Sequence, residues 1–539
     1  MVLWMKKISF LLLLFYSFCL FGQDRYMVFF KDKAGTSHSL EEPLTYLSTR
    51  SLSRRNLNGF GVTAKDLPVS DMYIQALKDL QIPVFHQTKW MNGVLTQMDM
   101  SQSETVESLP FVANIEFVAP GAPLAAVPGE VKKHRATQFI TQDEVSQLDQ
   151  LTFIDAQEMH GLGVRGNGVW IAVIDDGFQS LSVLPEFQHL FQEQRVSDTF
   201  NFVKNQNQVE NGFSHGLRVL SVLAASSDEL IGVAHQANYS LYVTEALGEY
   251  RIEEYNWLFA AERADSVGVD IINSSVGYTV FDDATMNYDE ADMDGETTVV
   301  TRAANWAAER GIVVVNSAGN TGNGTWSSVV APSDSRNVLA VGAVNSNRST
   351  ASFSSPGFDR PSHFKPDVTT LGVGVKMVSA NGQFVFQNGT SFSAPAVAGL
   401  VAGLKQAFPN LTSSELRNYT RQSGSLADAP DTLQGFGIPS FIRAMEAIVA
   451  DREIADISFK AFPNPVNQNS LKVQLSEDLL GQQVVLELWS ASGRLIKSKA
   501  DRHVLSTNPI IFDMQEQPHG LYLLRVITAS GSATQRIIK

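Results

Sequence analysis

Three stretches, far apart in the chain, hold the residue types that activate a hydroxyl group for attack on a carbonyl carbon. Asp175 ends an apolar run of strand length, His215 opens an apolar segment, and Ser391 precedes an alanine-rich segment. A hydroxyl is a weak nucleophile until a base removes its proton, and a carboxylate can orient that base. Taken singly, Asp175 and Ser391 are explained as helix caps and His215 as a surface imidazole. Taken together, they predict an acid, a base and a nucleophile.

Hydrophobic patterning predicts the elements that position these residues. Val169–Ile174 is fully apolar, which is typical of a parallel sheet covered on both faces, and functional groups collect at the carboxyl ends of such strands. Apolar residues at three- and four-residue spacings over 396–408 predict a buried helix, with Pro395 in its first turn. Ser391 would then lie at the positive end of the helix dipole, where its N–H can meet developing negative charge.

Strands and helices alternate through the central part of the chain, residues 148–450. The predicted strands are Val169–Ile174, Tyr239–Thr244, Val269–Ile272, Ile312–Val315 and Val338–Val341. The predicted helices are Gly216–Ala225, Ile252–Val267, Thr298–Arg310 and Ser391–Phe408. This alternation predicts an α/β fold, an open parallel sheet with helices on both faces.

Four separated motifs carry a family resemblance over roughly Leu148–Ala450. They are Val173-Ile174-Asp175-Asp176-Gly177, His215-Gly216, Asn316-Ser317-Ala318-Gly319-Asn320 and Asn388-Gly389-Thr390-Ser391-Phe392-Ser393-Ala394-Pro395. The chain resembles the subtilisin-like serine peptidases, whose Asp, His, Ser order is matched here rather than derived. The resemblance implies a secreted serine endopeptidase that hydrolyses peptide bonds through an acyl-enzyme intermediate and requires no cofactor. The rival hypothesis is a surface or adhesion protein with an inactive peptidase fold. The presence of a suitable residue at every catalytic position argues against that hypothesis.

The resemblance also implies roles for residues around the nucleophile. The side-chain amide of Asn320 and the backbone N–H of Ser391 would stabilise the oxyanion, although an asparagine after glycine also suits a turn. Substrate would add as a strand to one segment, and a second segment of small residues would leave room for its side chain. These candidate substrate-binding residues are Ser275, Val276 and Gly277 in the first segment and Ser317, Ala318 and Gly319 in the second.

One departure from the family pattern lies beside the base. The family usually has Thr-His after His-Gly, whereas this chain has Leu217-Arg218. A guanidinium one turn from His215 alters the local electrostatics and hence the pH optimum, while proton transfer by the imidazole stays possible.

An acidic loop between residues 282 and 296 has two interpretations. Glu290 to Gly295 partly matches a calcium loop with alternating carboxylates and a turn glycine. The first position is Glu290, however, and Thr301 stands where a closing glutamate belongs. A solvated acidic loop is the favoured interpretation, with no metal ligand assigned and calcium kept as an alternative.

Three segments are predicted on the amino side of the peptidase domain. Residues 1–22, with Lys6 and Lys7 before an apolar run, predict a secretory signal peptide. Residues 24–120 resemble a ferredoxin-like α+β unit with an added basic helix, which implies a propeptide that assists folding and inhibits. The alternative is an unrelated small domain. Residues 121–147 form a linker suited to cleavage.

Residues 456–539 predict a small β-sandwich of short alternating strands. Phe462-Pro463-Asn464-Pro465 and the terminal Arg536-Ile537-Ile538-Lys539 resemble the C-terminal sorting domain of the type IX secretion system. That resemblance implies recognition by the secretion machinery and export through the periplasm of a gram-negative bacterium to the cell surface or the medium. The alternative is a carbohydrate- or protein-binding module.

Composition excludes several other classes. The net charge of −15 disfavours nucleic-acid binding, and protein or peptide substrates are expected instead. The one cysteine, Cys19, lies in the predicted signal peptide, so no disulfide is expected in the mature protein. No stretch is long and apolar enough for an integral membrane span.

Overall fold

The computed structural model describes residues 23–121, 150–452 and 459–539, apart from 247, 361, 362, 492, 493, 502, 503, 505, 506, 529 and 530. The predicted signal peptide and most of the predicted linker therefore lie outside the described residues. The described chain forms three packed bodies, each with an apolar core of its own, and the body before residue 121 shares a further core with one face of the central sheet.

A seven-stranded, fully parallel sheet lies at the centre of the molecule. In spatial order its strands are Val368–Leu371, Val338–Val344, Val313–Ser317, Ile271–Ser274, Trp170–Asp175, Asn238–Val243 and Val196–Asn201. Five of these match the predicted strands within one to three residues at each end. The two edge strands, Val196–Asn201 and Val368–Leu371, were not predicted.

Helices cover both faces of this sheet, which confirms the predicted α/β architecture. Along the strand Trp170–Asp175, Ile171 and Val173 face one apolar core and Ala172 and Ile174 face the other. The helices of the first core are His215–Ala224, Thr390–Ala407, Ser413–Gln422 and Phe441–Arg452, with the short helices Gln150–Phe153, Ala156–Gly161 and Gln188–Gln192. The second core contains Ile252–Val267 and Val299–Ala308.

Residues before 121 form an antiparallel sheet that packs on the second core. Its strands, in spatial order, are Val84–Thr88, Gly93–Met98, Asp24–Phe30 and Val112–Ala119. One face carries the helices Asp71–Asp79 and Met100–Glu107, while Met27, Leu95 and Val118 on the other face contact the central helices. The basic stretch forms a helix, Thr49–Leu57, capped by Ser48.

Residues after 459 form two antiparallel sheets around one apolar core, as expected for a β-sandwich. The strands of the first sheet are Phe459–Phe462, Ser470–Leu475 and Ile510–Asp513. Those of the second are Leu495–Asp501, Val484–Ser490, Leu521–Thr528 and Gly531–Ile538. The last strand approaches the helix Phe441–Arg452, where Arg536 lies 3.5 Å from Glu446. Among the described residues, no helix has the length and apolar character needed to cross a membrane.

Candidate active site

Asp175 and His215 form a buried pair at the carboxyl end of the central sheet. Asp175 is the last residue of its strand and His215 the first residue of its helix. The imidazole Nδ1 lies 2.7 Å from Asp175 Oδ1, and both side chains are at most 2% exposed. The carboxylate oxygen also accepts the N–H of Asp176 at 2.8 Å. A bond to Nδ1 fixes the ring and leaves Nε2 as the nitrogen that can take a proton.

Gly216 permits the close approach of helix and strand that makes this pair. A Cβ atom at Gly216 would lie 2.7 Å from the Gly177 carbonyl oxygen and 2.9 Å from Asp175 Cβ, which is too close. The Gly216 N–H in turn donates to Asp176 Oδ1 at 3.0 Å. Arg218, the departure from the family pattern, is half-buried one turn along the same helix.

Ser391 is the second residue of the helix Thr390–Ala407, in agreement with its predicted position at the helix start. The residue is 5% exposed, and its hydroxyl lies 3.3 Å from the Ser275 carbonyl oxygen. Phe392, the next residue, packs against the imidazole of His215 with ring centroids 5.6 Å apart. If Ser391 is the nucleophile, its hydroxyl would exchange its bond to Ser275 for one to His215 when substrate binds. Catalytic hydrogen bonds often tighten only when substrate binds.

Pro395 lies one turn deeper in the helix than predicted, because the helix begins at Thr390. A proline at this position cannot donate to the carbonyl of Ser391, four residues earlier. The hydroxyl of Ser275 donates to that carbonyl instead, at 2.9 Å. The predicted substrate-binding segment is therefore hydrogen-bonded directly to the residue predicted to be the nucleophile.

Asn320 lies beside the start of the same helix and is oriented by Thr390. Its side-chain oxygen accepts both the backbone N–H and the hydroxyl of Thr390, each at 3.0 Å. Because Oδ1 accepts these two bonds, the amide nitrogen is the end of this side chain that remains a donor. The sequence motif pointed to Asn320 but gave no indication of Thr390 as the residue that positions it.

A cleft that is partly open to solvent borders Ser391 and Asn320. Its lining residues are Glu245, Glu249, Ser275, Val276, Gly277, Ser317, Gly319, Asn320, Val330 and Ser391. Of the predicted substrate-binding residues, only Ala318 is absent from this lining, and it is fully buried. The motifs missed Glu245 and Glu249. The available signal was their place just after the strand Asn238–Val243, since such strand ends border ligand sites.

The acidic loop does not gather its carboxylates around a common centre. Asp292 accepts the N–H of Asp289, and Asp294 accepts the N–H groups of Glu296 and Thr297. Both carboxylate oxygens of Glu290 accept from Ser327. Asp292 and Asp294 therefore cap the backbone of the loop and Glu290 binds Ser327 outside it, an arrangement that does not fit a calcium site.

A buried acid–base pair next to a serine at a helix start, on an open parallel sheet, is suited to nucleophilic hydrolysis of carbonyl compounds. Comparisons with known proteins narrow this class. Residues 166–437 match the subtilase family, residues 25–135 the Bacteroidota propeptide domain of S8 peptidases, and residues 460–539 the secretion system C-terminal sorting domain.

Curated relatives agree with the family match. Subtilisin E of Bacillus subtilis (strain 168) is 31% identical over 300 residues, which span 54% of this chain and 70% of that protein. Subtilisin of Bacillus pumilus is 32% identical over 270 residues, spanning 49% and 86%. Among solved structures, MycP1 from the ESX-1 type VII secretion system is 22% identical, with a TM-score of 0.46 over 60% of this chain and 94% of that chain.

The chain belongs to the subtilase family and is a serine endopeptidase made with a propeptide and a C-terminal sorting domain. These matches indicate a secreted or cell-surface protein that acts on peptide substrates.

Proposed function

We propose that Ser391 is the nucleophile of peptide hydrolysis, His215 its general base and Asp175 the residue that orients the base. The buried 2.7 Å contact between Asp175 and His215 is the observation that carries this assignment. Ser391 Oγ would attack the scissile carbonyl while His215 Nε2 takes the proton and later returns it to the leaving amine. Water, activated by the same imidazole, would then hydrolyse the acyl-enzyme.

The oxyanion formed in this attack would be held by two donors, the side-chain amide of Asn320 and the backbone N–H of Ser391. Thr390 supports this assignment because it holds the opposite end of the Asn320 amide. Ser391 supplies one of the first N–H groups of a helix, where the dipole favours negative charge.

The substrate chain would lie against two segments of the cavity wall. Ser275, Val276 and Gly277 would pair with its backbone as an edge strand, and Ser317, Ala318 and Gly319 would border the side chain next to the scissile bond. The bond from Ser275 to the Ser391 carbonyl supports this arrangement, since it fixes the spacing between the pairing edge and the nucleophile.

The chain would be made as a zymogen and matured by cleavage in the linker. The proposed division is a signal peptide at 1–22, a propeptide at 24–120, a linker at 121–147, the peptidase domain at 148–450 and the sorting domain at 456–539. The extensive contact of residues 23–121 with the helices Ile252–Val267 and Val299–Ala308 supports an inhibitory and folding role for the propeptide.

Export would proceed through the periplasm, with the sorting domain read as an address by type IX secretion machinery. The test is a chain that lacks 462–539, expressed in a host with that machinery. We expect retained peptidase activity with the enzyme trapped in the periplasm. Equal release of the truncated and full chains would reject the sorting role and favour a binding module.

An active-site serine reagent tests the catalytic assignment. A fluorophosphonate should label the processed wild-type enzyme at Ser391, and Ser391→Ala should abolish labelling and hydrolysis. Ser393→Ala is the matched control because Ser393 lies in the same helix with its hydroxyl directed to the carbonyls of Thr370 and Leu371. Labelling that persists in Ser391→Ala would assign the nucleophile elsewhere.

Replacing Asn320 by Ala measures the oxyanion contribution. We expect kcat to fall by ~10²–10³ with little change in KM, because the oxyanion exists mainly in the transition state. A loss of tenfold or less would place the oxyanion donors elsewhere.

A further inference from the structure

Two glutamates line the same cavity as Ser391, and a third lies directly behind them. Glu245 is 4% exposed, Glu249 is half-buried, and Glu253 is fully buried. Donors to this group include the Tyr278 hydroxyl at 2.6 Å and the Thr244 hydroxyl at 3.0 Å, both to Glu245. The backbone N–H of Ala246 donates to Glu253 at 2.6 Å.

Negative potential is therefore concentrated at this part of the cleft. Burial and the charges of Glu245, Glu253 and Glu249 raise the pKa of the Tyr278 phenol well above its usual value. A fourth carboxylate, Asp282, accepts the backbone N–H of Glu249 at 3.0 Å. None of the described residues that line the cavity is Lys, Arg or His. A cation that enters this cavity would interact favourably with these carboxylates.

The chain itself contains a segment of the complementary charge at its maturation junction. Lys132-Lys133-His134-Arg135 places four basic residues in succession, in a protein whose overall net charge is −15. The match to the propeptide domain ends at residue 135 and the match to the subtilase family begins at residue 166. The basic residues thus lie on the acyl side of a bond that would separate the two matched regions.

We infer that Glu245 and Glu249 make this cleft selective for peptides with Lys or Arg on the acyl side of the scissile bond, and that its first substrate is the chain's own Arg135–Ala136 bond. This inference rests on the proposed function, since it assumes that Ser391 is the nucleophile in this cavity. Glu249 would contact the cationic side chain directly, and the more buried Glu245 would add to the field. Cleavage after Arg135 removes the basic segment together with the propeptide.

Two measurements on the full chain and its processed product test the inference. Mass spectrometry of the new amino terminus should find Ala136. The processed enzyme should cleave a quenched fluorescent peptide spanning 130–140 with a kcat/KM at least about tenfold above that for a peptide with Gln at 132, 133 and 135. Glu249→Gln should remove most of that preference, so that the kcat/KM values for the two peptides approach each other.

Controls separate selectivity from folding and from catalysis. Glu296→Gln, an exposed carboxylate of the acidic loop outside the cavity, should leave the preference intact. If the glutamate variants fail to fold, inhibition of the wild-type enzyme tests the inference instead. Acetyl-argininamide should inhibit this enzyme more strongly than acetyl-citrullinamide. Equal cleavage of the two peptides, or equal inhibition by the two amides, would overturn the inference while leaving the proposed function standing. Failure to cleave any peptide would overturn the proposed function itself.

Discussion

Two aspartates are buried near opposite ends of the central sheet, and their charges are balanced in different ways. Asp175, at the carboxyl end, contacts His215, which belongs to the same apolar body. Asp265, in the last turn of the helix Ile252–Val267, contacts Arg54, Arg55 and Lys89 from the region matched to the propeptide. The charge of Asp175 is thus balanced within the peptidase domain, whereas that of Asp265 is balanced by a segment that the proposed maturation would remove.

The contacts of Asp265 extend into a network across the interface. Arg55 also binds Asp66 at 3.1 Å, and Asp66 is bound by Arg310 of the central body at 2.7 Å. Burial by itself would raise the pKa of Asp265, but the positive charges of Lys89, Arg54 and Arg55 outweigh burial and hold it below its usual value. Nearby, Glu262 accepts the backbone N–H groups of Lys89 and Trp90.

The comparison separates two tasks of buried charge. At Asp175 the partner would have to remain in place through every turnover, since the role proposed for this carboxylate is to orient the base. At Asp265 the partner only has to hold the propeptide on the helix during folding and inhibition. The basic helix Thr49–Leu57 therefore acts as an ionic clamp at the end of the sheet remote from the cleft.

The largest effect is expected for the pair of Asp175 and His215. Asp175→Asn should slow cleavage of the chain's own junction by about 10⁴-fold, because the imidazole would adopt the wrong tautomer. The rate is measured in the full chain by gel electrophoresis, with circular dichroism as the check on folding. A loss below tenfold would show that Asp175 does not orient the base.

A smaller effect is expected for the contacts of Asp265 with the propeptide region. Asp265→Asn should weaken inhibition by the cleaved propeptide by at least about 10²-fold, since three cations would lose their buried partner. The measurement is the Ki of the propeptide against the processed enzyme. Glu229→Gln, at an exposed pair with Lys376, is the control and should leave Ki unchanged. An unchanged Ki in Asp265→Asn would reduce the clamp to a packing contact.

Acid should release the propeptide through His86, a residue of the same interface. Its Nε2 lies 2.7 Å from the Phe202 carbonyl oxygen, and burial lowers its pKa from 6.5 to about 4, with Arg25 adding a smaller effect in the same direction. The free propeptide then binds a proton near pH 6.5 that the complex excludes, so affinity falls as pH decreases from 6.5 toward 4. From pH 7 to pH 5, Ki should rise about 20-fold.

A non-titrating replacement isolates this effect. His86→Gln should keep a donor for the Phe202 carbonyl and flatten the dependence of Ki on pH over the same range. The same slope in wild type and His86→Gln would assign the pH dependence to other groups.

The smallest effect is expected at the exposed carboxylates of the acidic loop. Because Asp292 and Asp294 already accept N–H groups of the loop, adding a chelator should leave the melting temperature unchanged. A fall in melting temperature on chelation, restored by added calcium, would show a native-state site.

Local sequence patterns predicted most of the fold, and failed where the pattern was absent. Ile252–Val267 and the strand starting at Val338 were predicted because apolar spacing and length agree. Val196–Asn201 was missed because it is mostly polar and lies at the sheet edge, where burial is incomplete. The sequence predicted Pro395 in the first turn of its helix, whereas it lies in the second turn. The helix start could not be predicted because it depends on where the chain leaves the preceding loop.

The residues of the candidate site likewise include some that local sequence predicts and others that it does not. Motifs pointed to Asp175, His215 and Ser391 because each ends or begins an apolar element, and the structure brings the first two into contact. Glu245 and the clamp at Asp265 could not be predicted, because their surroundings are built by residues distant in sequence. Long-range partners, rather than local spacing, decide what a single carboxylate does.

The hydroxyl that Ser275 donates to Ser391 has an evolutionary consequence. It can reach that carbonyl because Pro395 provides no competing N–H. Losing Ser275 alone strands a buried acceptor, and losing Pro395 alone adds a rival donor. Losing both restores an ordinary helical bond, so the double change should cost less than the sum of the single changes. The two positions are therefore expected to be inherited as a pair. A lineage that exchanges one of them is expected to exchange the other as well.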